Sequence, residues 1–120
     1  MADILFVEDE EAVGEALSKL LARRWAVEWV TSGAEALENL SKIKPKIIIT
    51  DFFMGPGMMN GVEFAKQAKE RYPDLPIVLL SGYISDPLID QNTELFYLII
   101  FKPLKVSALM EVISNLIHPL

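Results

Sequence analysis

Cysteine is absent from the 120 residues, which rules out a disulfide framework and a thiolate metal site. Histidine is nearly absent too. The single imidazole, His118, sits beside Pro119 near the end of the chain and reads as a solvent-facing group. No apolar run approaches the roughly 20 residues of a membrane-spanning helix. Met1-Ala2-Asp3 places no basic stretch ahead of an apolar one, so no signal peptide is read and a cytoplasmic setting is expected. Positive charge is sparse: Lys and Arg number 11 against 17 acids, the net charge is −6, and no basic cluster exceeds Arg23-Arg24. A nucleic-acid surface needs clustered cations, so neither nucleic acid nor membrane is expected as a direct partner. Repeats, low-complexity tracts and linkers are also missing, and residues 1–120 read as one domain.

What the chain does have is apolar runs that each stop at a polar group. Ile4–Val7 runs straight into Glu8-Asp9-Glu10-Glu11. Ile47, Ile48 and Ile49 lead through Thr50 to Asp51. Residues 77–80 lead to Ser81-Gly82, and residues 95–101 to Lys102-Pro103. Short solid runs of this kind suit strands buried on both faces. Residues 26–30 differ, with Val27 and Trp29 alternating against Glu28, as on an edge strand. Trp25 and Trp29 are read as packing groups around that edge.

Helical patterns fill the gaps. Ala12, Val13, Ala16, Leu17, Leu20 and Leu21 recur at helical spacing, and Arg23-Arg24 suits the end of that helix. Ser32 with Glu35, and Asn60 with Glu63, read as capping boxes. The helix after the first box turns Ala34, Leu37 and Leu40 inward; the helix after the second turns Val62, Ala65 and Ala68 inward. Asp86-Pro87 can start a helix, but Asp90, Asn92 and Thr93 are weak helix formers, so this one should be short or mobile. A last helix, about 105–117, carries Val106, Leu109, Met110, Ile113 and Leu116 on its buried stripe. Strand–helix alternation repeated five times implies a parallel sheet between two helical layers, a three-layer α/β/α sandwich.

In such a sheet all the carboxyl ends lie along one edge, where ligands bind. Glu8, Asp9, Asp51, Ser81 and Lys102 therefore converge from four separate segments. Clustered carboxylates repel unless a cation joins them. Oxygen-only ligands suit Mg²⁺, which takes one or two carboxylates plus a phosphate oxygen. A carboxylate can itself act as a nucleophile and form an aspartyl phosphate. Ser81 and Lys102 would then each bind a phosphoryl oxygen.

This set, Glu8-Asp9, Asp51, Ser81 and Lys102-Pro103 on five strand–helix units, resembles the receiver domain of two-component response regulators, chemotaxis-regulator-like, over the whole chain. The resemblance implies a flavodoxin-like five-stranded sheet of order 2-1-3-4-5. It implies that Asp51 accepts a phosphoryl group from a sensor histidine kinase or phosphotransfer protein. Asp9, Asp51 and the backbone carbonyl of Phe53 would bind Mg²⁺, with Glu8 acting through water. Ser81 and Lys102 would hold phosphoryl oxygens, and Ser81 would be the switch between two conformations. A downstream protein or output domain would meet the 87–117 face.

Four features depart from the family pattern. Glu8 stands where a second aspartate is common. The loop from Asp51 to Gly61 is two residues longer than D-x-x-M-P-x-x-[D/N]-G. Ile99 occupies the position of the switch aromatic, with Tyr97 and Phe101 out of place. The helix after Ser81 is weak. Bulky Phe53 and Tyr83, each two residues past a key group, predict slow self-dephosphorylation. Met54, Met58 and Met59 form either an adaptable contact surface or local packing, with Met54 inward. Three rival readings are a pseudo-receiver signalling by contacts alone, an aspartyl-phosphate phosphatase and a flavin binder. The phosphatase lacks a second Asp at position 53. The flavin binder lacks a phosphate-cradling loop after the first strand.

Overall fold

A computed structural model describes residues 1–82 and 85–117, which leaves Tyr83 and His118 outside the described residues. The elements run β1 (Ile4–Val7), α1 (Glu11–Leu21), β2 (Val27–Val30), α2 (Gly33–Ile43), β3 (Ile47–Asp51), α3 (Gly61–Arg71), β4 (Ile77–Ser81), α4 (Pro87–Asp90), a 3₁₀ turn (Thr93–Leu95), β5 (Leu98–Phe101) and α5 (Val106–Leu116). All five strands pair parallel in the order β2-β1-β3-β4-β5.

The solid apolar runs are explained by two cores, one on each face of the sheet. Successive strand side chains point to opposite faces. Leu5, Val7 and Ile48 therefore pack with Leu40, Phe64 and Ala65 of α2 and α3. Ile4, Phe6, Ile47 and Ile49 pack with Leu17 and Leu21 of α1, Trp25, and Leu109 and Ile113 of α5. Ile47, Ile48 and Ile49 are all fully buried, each contributing about 2 kcal/mol of transfer free energy.

Several sequence expectations are corrected here. Helix α1 turns Gly14, Leu17 and Leu21 inward, whereas Ala12, Val13 and Ala16 are exposed. With Leu20, Leu104 and Val106 they line an apolar groove. The inward face is rotated because Gly14 receives the indole of Trp29, a fit that any side chain on residue 14 would prevent. Helix α2 buries Ala36 rather than Ala34. Its Ser32 hydroxyl accepts the Glu35 N–H at 3.1 Å, but Glu35 reaches one residue further than a capping box, to the Thr31 N–H at 3.0 Å. The Asn60–Glu63 box is complete.

Strand β5 begins at Leu98, not residue 95. Residues 92–96 instead form a tight turn, with Leu95 N–H donating to Asn92 and Phe96 N–H to Thr93. Helix α4 is one turn long, started by Asp86, whose carboxylate accepts from the Leu88 and Ile89 N–H groups. With so little helix above it, β5 leaves Leu98 and Phe101 exposed, as is Tyr97 just before it.

The extra residues between Asp51 and Gly61 make a turn of their own. Pro56 supplies its fixed φ, Gly57 adopts φ +73°, and Met58 N–H donates to Gly55 at 3.2 Å. This is the type II arrangement, in which the third residue must tolerate positive φ. Met54 is buried in the core, and Met58 is exposed at the turn.

Candidate functional site

Parallel register brings the polar groups to one edge. Val7 pairs with Thr50, Asp51 with Leu80, and Ser81 with Phe101. The residues that follow β1 and β5, Glu8 and Lys102, therefore flank Asp51. The edge forms an open cleft of about 440 Å³ lined by Glu8, Asp9, Glu10, Asp51, Phe53, Gly82 and Lys102. Ser81 ends β4 fully buried, and Gly82 forms the cleft wall at that point.

One carboxylate oxygen each from Glu8, Asp9 and Asp51 lies within 4.8 Å of the others. Lys102 Nζ is 2.8 Å from Asp51 Oδ1. The Lys102–Pro103 peptide is cis. Glu8 Oε2 also accepts the Glu10 N–H at 3.1 Å, so the Glu8 side chain closes its own loop. The lengthened loop lies against the site: a Cβ built on Gly55 would sit 3.8 Å from Asp9 Oδ2.

Crowding and burial set the proton affinities. Burial, helped by the charge of Asp51 and a hydrogen bond with Asp9, pushes Glu8 up from 4.5 to about 7 against the Glu10 N–H and Lys102. Burial also raises Asp51 above the ordinary 3.8, although Lys102 opposes this by hydrogen bond and charge. Burial disfavours the ammonium of Lys102, yet Asp51, Glu8 and Glu10 together raise it above 10.5. Each shift is what a site short of positive charge produces. A hard divalent cation fits such a donor set, because it replaces carboxylate repulsion with oxygen coordination.

Sequence reasoning placed Trp29 with the packing groups only. Its indole N–H donates to the backbone carbonyl of Glu8 at 2.9 Å, so the edge strand reaches the site after all. The legible signal was Gly14, an isolated glycine inside a helical pattern, which usually marks a close packing contact. A second cleft, about 450 Å³, opens at the opposite edge among Lys44, Lys46, Arg71 and Tyr72. Lys44 and Arg71 stand at the carboxyl ends of α2 and α3, where cations complement the helix dipoles.

Comparison with known proteins agrees with this geometry. The response regulator protein VraR of Staphylococcus saprophyticus is 35% identical over 86 residues, covering 69% of this chain and 40% of that protein. VraR of Staphylococcus aureus is 34% identical over the same share. The chain thus spans about 40% of the length of the curated relatives it matches. Among solved structures, the receiver domain of a signal transduction histidine kinase from Syntrophus aciditrophicus is 30% identical. It has a TM-score of 0.83 and covers 97% of this chain and 89% of its own. A CheY-like receiver domain from Methanospirillum hungatei, at 22% identity, shares the fold with a TM-score of 0.85, covering 93% and 90%. Residues 4–114 match the response regulator receiver domain family, and the chain belongs to that family of two-component signalling modules.

Proposed function

We propose that the chain is a phosphorylatable receiver, one unit over residues 1–120 working in the cytoplasm, with Asp51 as phosphoacceptor. The observation that carries this reading is the ion pair of Asp51 with Lys102 at 2.8 Å inside a three-carboxylate cluster. A carboxylate oxygen of Asp51 attacks phosphorus in line, the new P–O bond forms, and the P–N bond of a donor phosphohistidine breaks. The imidazole leaves with the electron pair and takes up a proton. Lys102 keeps Asp51 ionised for the attack and afterwards follows the phosphoryl oxygens. Asp9 and Asp51, with the Phe53 carbonyl, would hold Mg²⁺, and Glu8 would act through water. When bound, the ion neutralises charge on the phosphoryl oxygens and the acids. Ser81, buried at the end of β4, would move toward the phosphoryl group and so shift the population of two conformations.

The donor is a sensor histidine kinase or a phosphotransfer protein. The downstream partner, a protein or output domain, meets the 87–117 face, where Tyr97, Leu98 and Phe101 are exposed. Phosphotransfer from a phosphohistidine donor should label the wild type only with Mg²⁺ present and should not label Asp51→Asn; equal labelling of both would overturn the assignment. A contact-only pseudo-receiver is favoured by the lengthened 51–61 loop and by Ile99 at the position of the switch aromatic, where it packs against the cluster of Phe52, Val62, Leu79 and Ile89. Beryllofluoride with Mg²⁺ separates the two: a receiver shifts the amide resonances of Ser81 and Ile99, and a pseudo-receiver does not.

A further inference from the structure

The loop between β1 and α1 carries two of the three clustered acids, yet α1 begins without a side-chain cap, since Glu10 makes none. Hydrogen bonds restrain its first residue at three atoms. Glu8 N–H donates to Val30 O at 3.0 Å, Glu8 Oε2 accepts from Glu10 N–H at 3.1 Å, and Glu8 O accepts from Trp29 Nε1 at 2.9 Å. The last acts on the carbonyl of the Glu8–Asp9 peptide, so it sets the plane from which the Asp9 side chain departs.

The indole has a seat built for it. A Cβ on Gly14 would collide with Cε2, Cζ2 and Nε1 of the Trp29 ring, so glycine is the residue that lets the ring lie against α1. Trp29 is opposite Phe6 in the β1–β2 register, and Val30 opposite Val7, which fixes the ring's height relative to the loop. Trp25, the other tryptophan, is fully buried, and its indole N–H has no hydrogen-bond partner among the described residues. The two rings therefore differ in kind: one fills the core, and the other holds the acidic loop.

We propose that Trp29, seated on Gly14, is a positioning residue for cation binding: its indole N–H fixes the Glu8–Asp9 peptide so that both acids face Asp51. This rests on the Mg²⁺ reading above. Groups that orient metal ligands from behind typically change metal affinity about 10- to 100-fold when removed. Trp29→Phe keeps an aromatic ring on Gly14 and deletes the donor. It should weaken Mg²⁺ binding, measured by calorimetry, about tenfold. Gly14→Ala keeps the indole but unseats it, and should weaken binding in the same direction.

The wild type supplies a readout independent of variant folding. Saturating Mg²⁺ should shift the Trp29 indole N–H proton resonance, through its acceptor carbonyl, and leave that of Trp25 in place. A Trp29 resonance indifferent to Mg²⁺ in a protein that binds Mg²⁺ would overturn the proposal. So would folded Trp29→Phe and Gly14→Ala proteins that bind as tightly as wild type; the Mg²⁺ reading itself would then stand. A wild type that takes up no Mg²⁺ would sink that reading first and this one with it.

Discussion

At the residue scale the site is held in an electrostatically uncomfortable state, and Glu8 carries most of the consequence. It is only 2% exposed and titrates near 7 in the folded chain, against 4.5 ordinarily. Between those two pH values the unfolded chain has lost the proton and the folded chain still holds it. Folding stability from this group therefore falls as pH rises from about 4.5 to 7, then stays low. The shift corresponds to a loss on the order of 3 kcal/mol. Asp51, also raised, acts in the same direction. In metal-free protein, Glu8→Gln should flatten this slope, and at pH 8 should be more stable than wild type in urea unfolding. A steeper slope, or lower stability at pH 8, would show that the Glu8 charge is compensated by contacts the geometry does not contain. Phe53, half exposed at the cleft, is the second residue with a direct consequence. Its ring offers no hydrogen bond to an attacking water. The phosphorylated protein should persist for many minutes, and Phe53→Asn should shorten that lifetime severalfold in a phosphate-release assay.

At the element scale the junction between β3 and α3 is a tight backbone approach beside the chemistry. Gly61 N–H donates to Phe52 O at 2.7 Å, and a Cβ on Gly61 would meet Asp51 O at 2.6 Å and Leu79 Cδ1 at 2.8 Å. Backbone cannot move aside as a flexible side chain can. Gly61→Ala should lose about 1–3 kcal/mol in chemical denaturation and also slow phosphotransfer, because the strand that gives way carries Asp51. Gly57→Ala, with open space around it but φ +73°, should lose about 1 kcal/mol from backbone strain alone. Gly61, unlike Gly57, has no positive φ, so a Gly61→Ala protein as stable as wild type would mean that the junction has room for a side chain. The same elements explain what the sequence made legible. Strands β1, β3 and β4 are buried on both faces, so each appears as an unbroken apolar run, and the acid or hydroxyl that ends the run marks the edge. The outward rotation of α1 was hidden because hydropathy gives no weight to Gly14, although its missing side chain decides the face. The start of β5 was hidden because Leu95 and Phe96 are apolar in a turn as they would be in a strand. The indole of Trp29 over the β1–α1 loop depends on a contact between residues 21 apart, which periodicity does not encode.

For the whole molecule, the acids at one edge and the two cores beneath them are coupled through stability. The net charge is −6, and no helix among the described residues is long and apolar enough to cross a membrane. Part of the acidic excess is concentrated in three clustered carboxylates, two of which, Glu8 and Asp51, have raised proton affinity in the folded chain. Anything that binds the folded chain alone stabilises it by RT ln(1 + [L]/Kd), about 2.7 kcal/mol at a hundredfold excess over Kd. For a domain of this size that is a rise of about 10 °C in the unfolding midpoint. Mg²⁺ should produce a rise of this order at neutral pH. Salt also screens a charged surface, so NaCl at matched ionic strength must be the comparison. The screening contribution is shared by both salts, whereas coordination belongs to Mg²⁺. Asp9→Asn separates them further, because Asp9 is exposed and its loss leaves the cores intact. The variant should fold, respond to NaCl as wild type does, and lose most of the extra rise with Mg²⁺. Equal shifts from the two salts in wild type would reduce the acidic edge to a diffuse surface charge, whereas an Mg²⁺-specific shift that vanishes in Asp9→Asn would make it a coordination site.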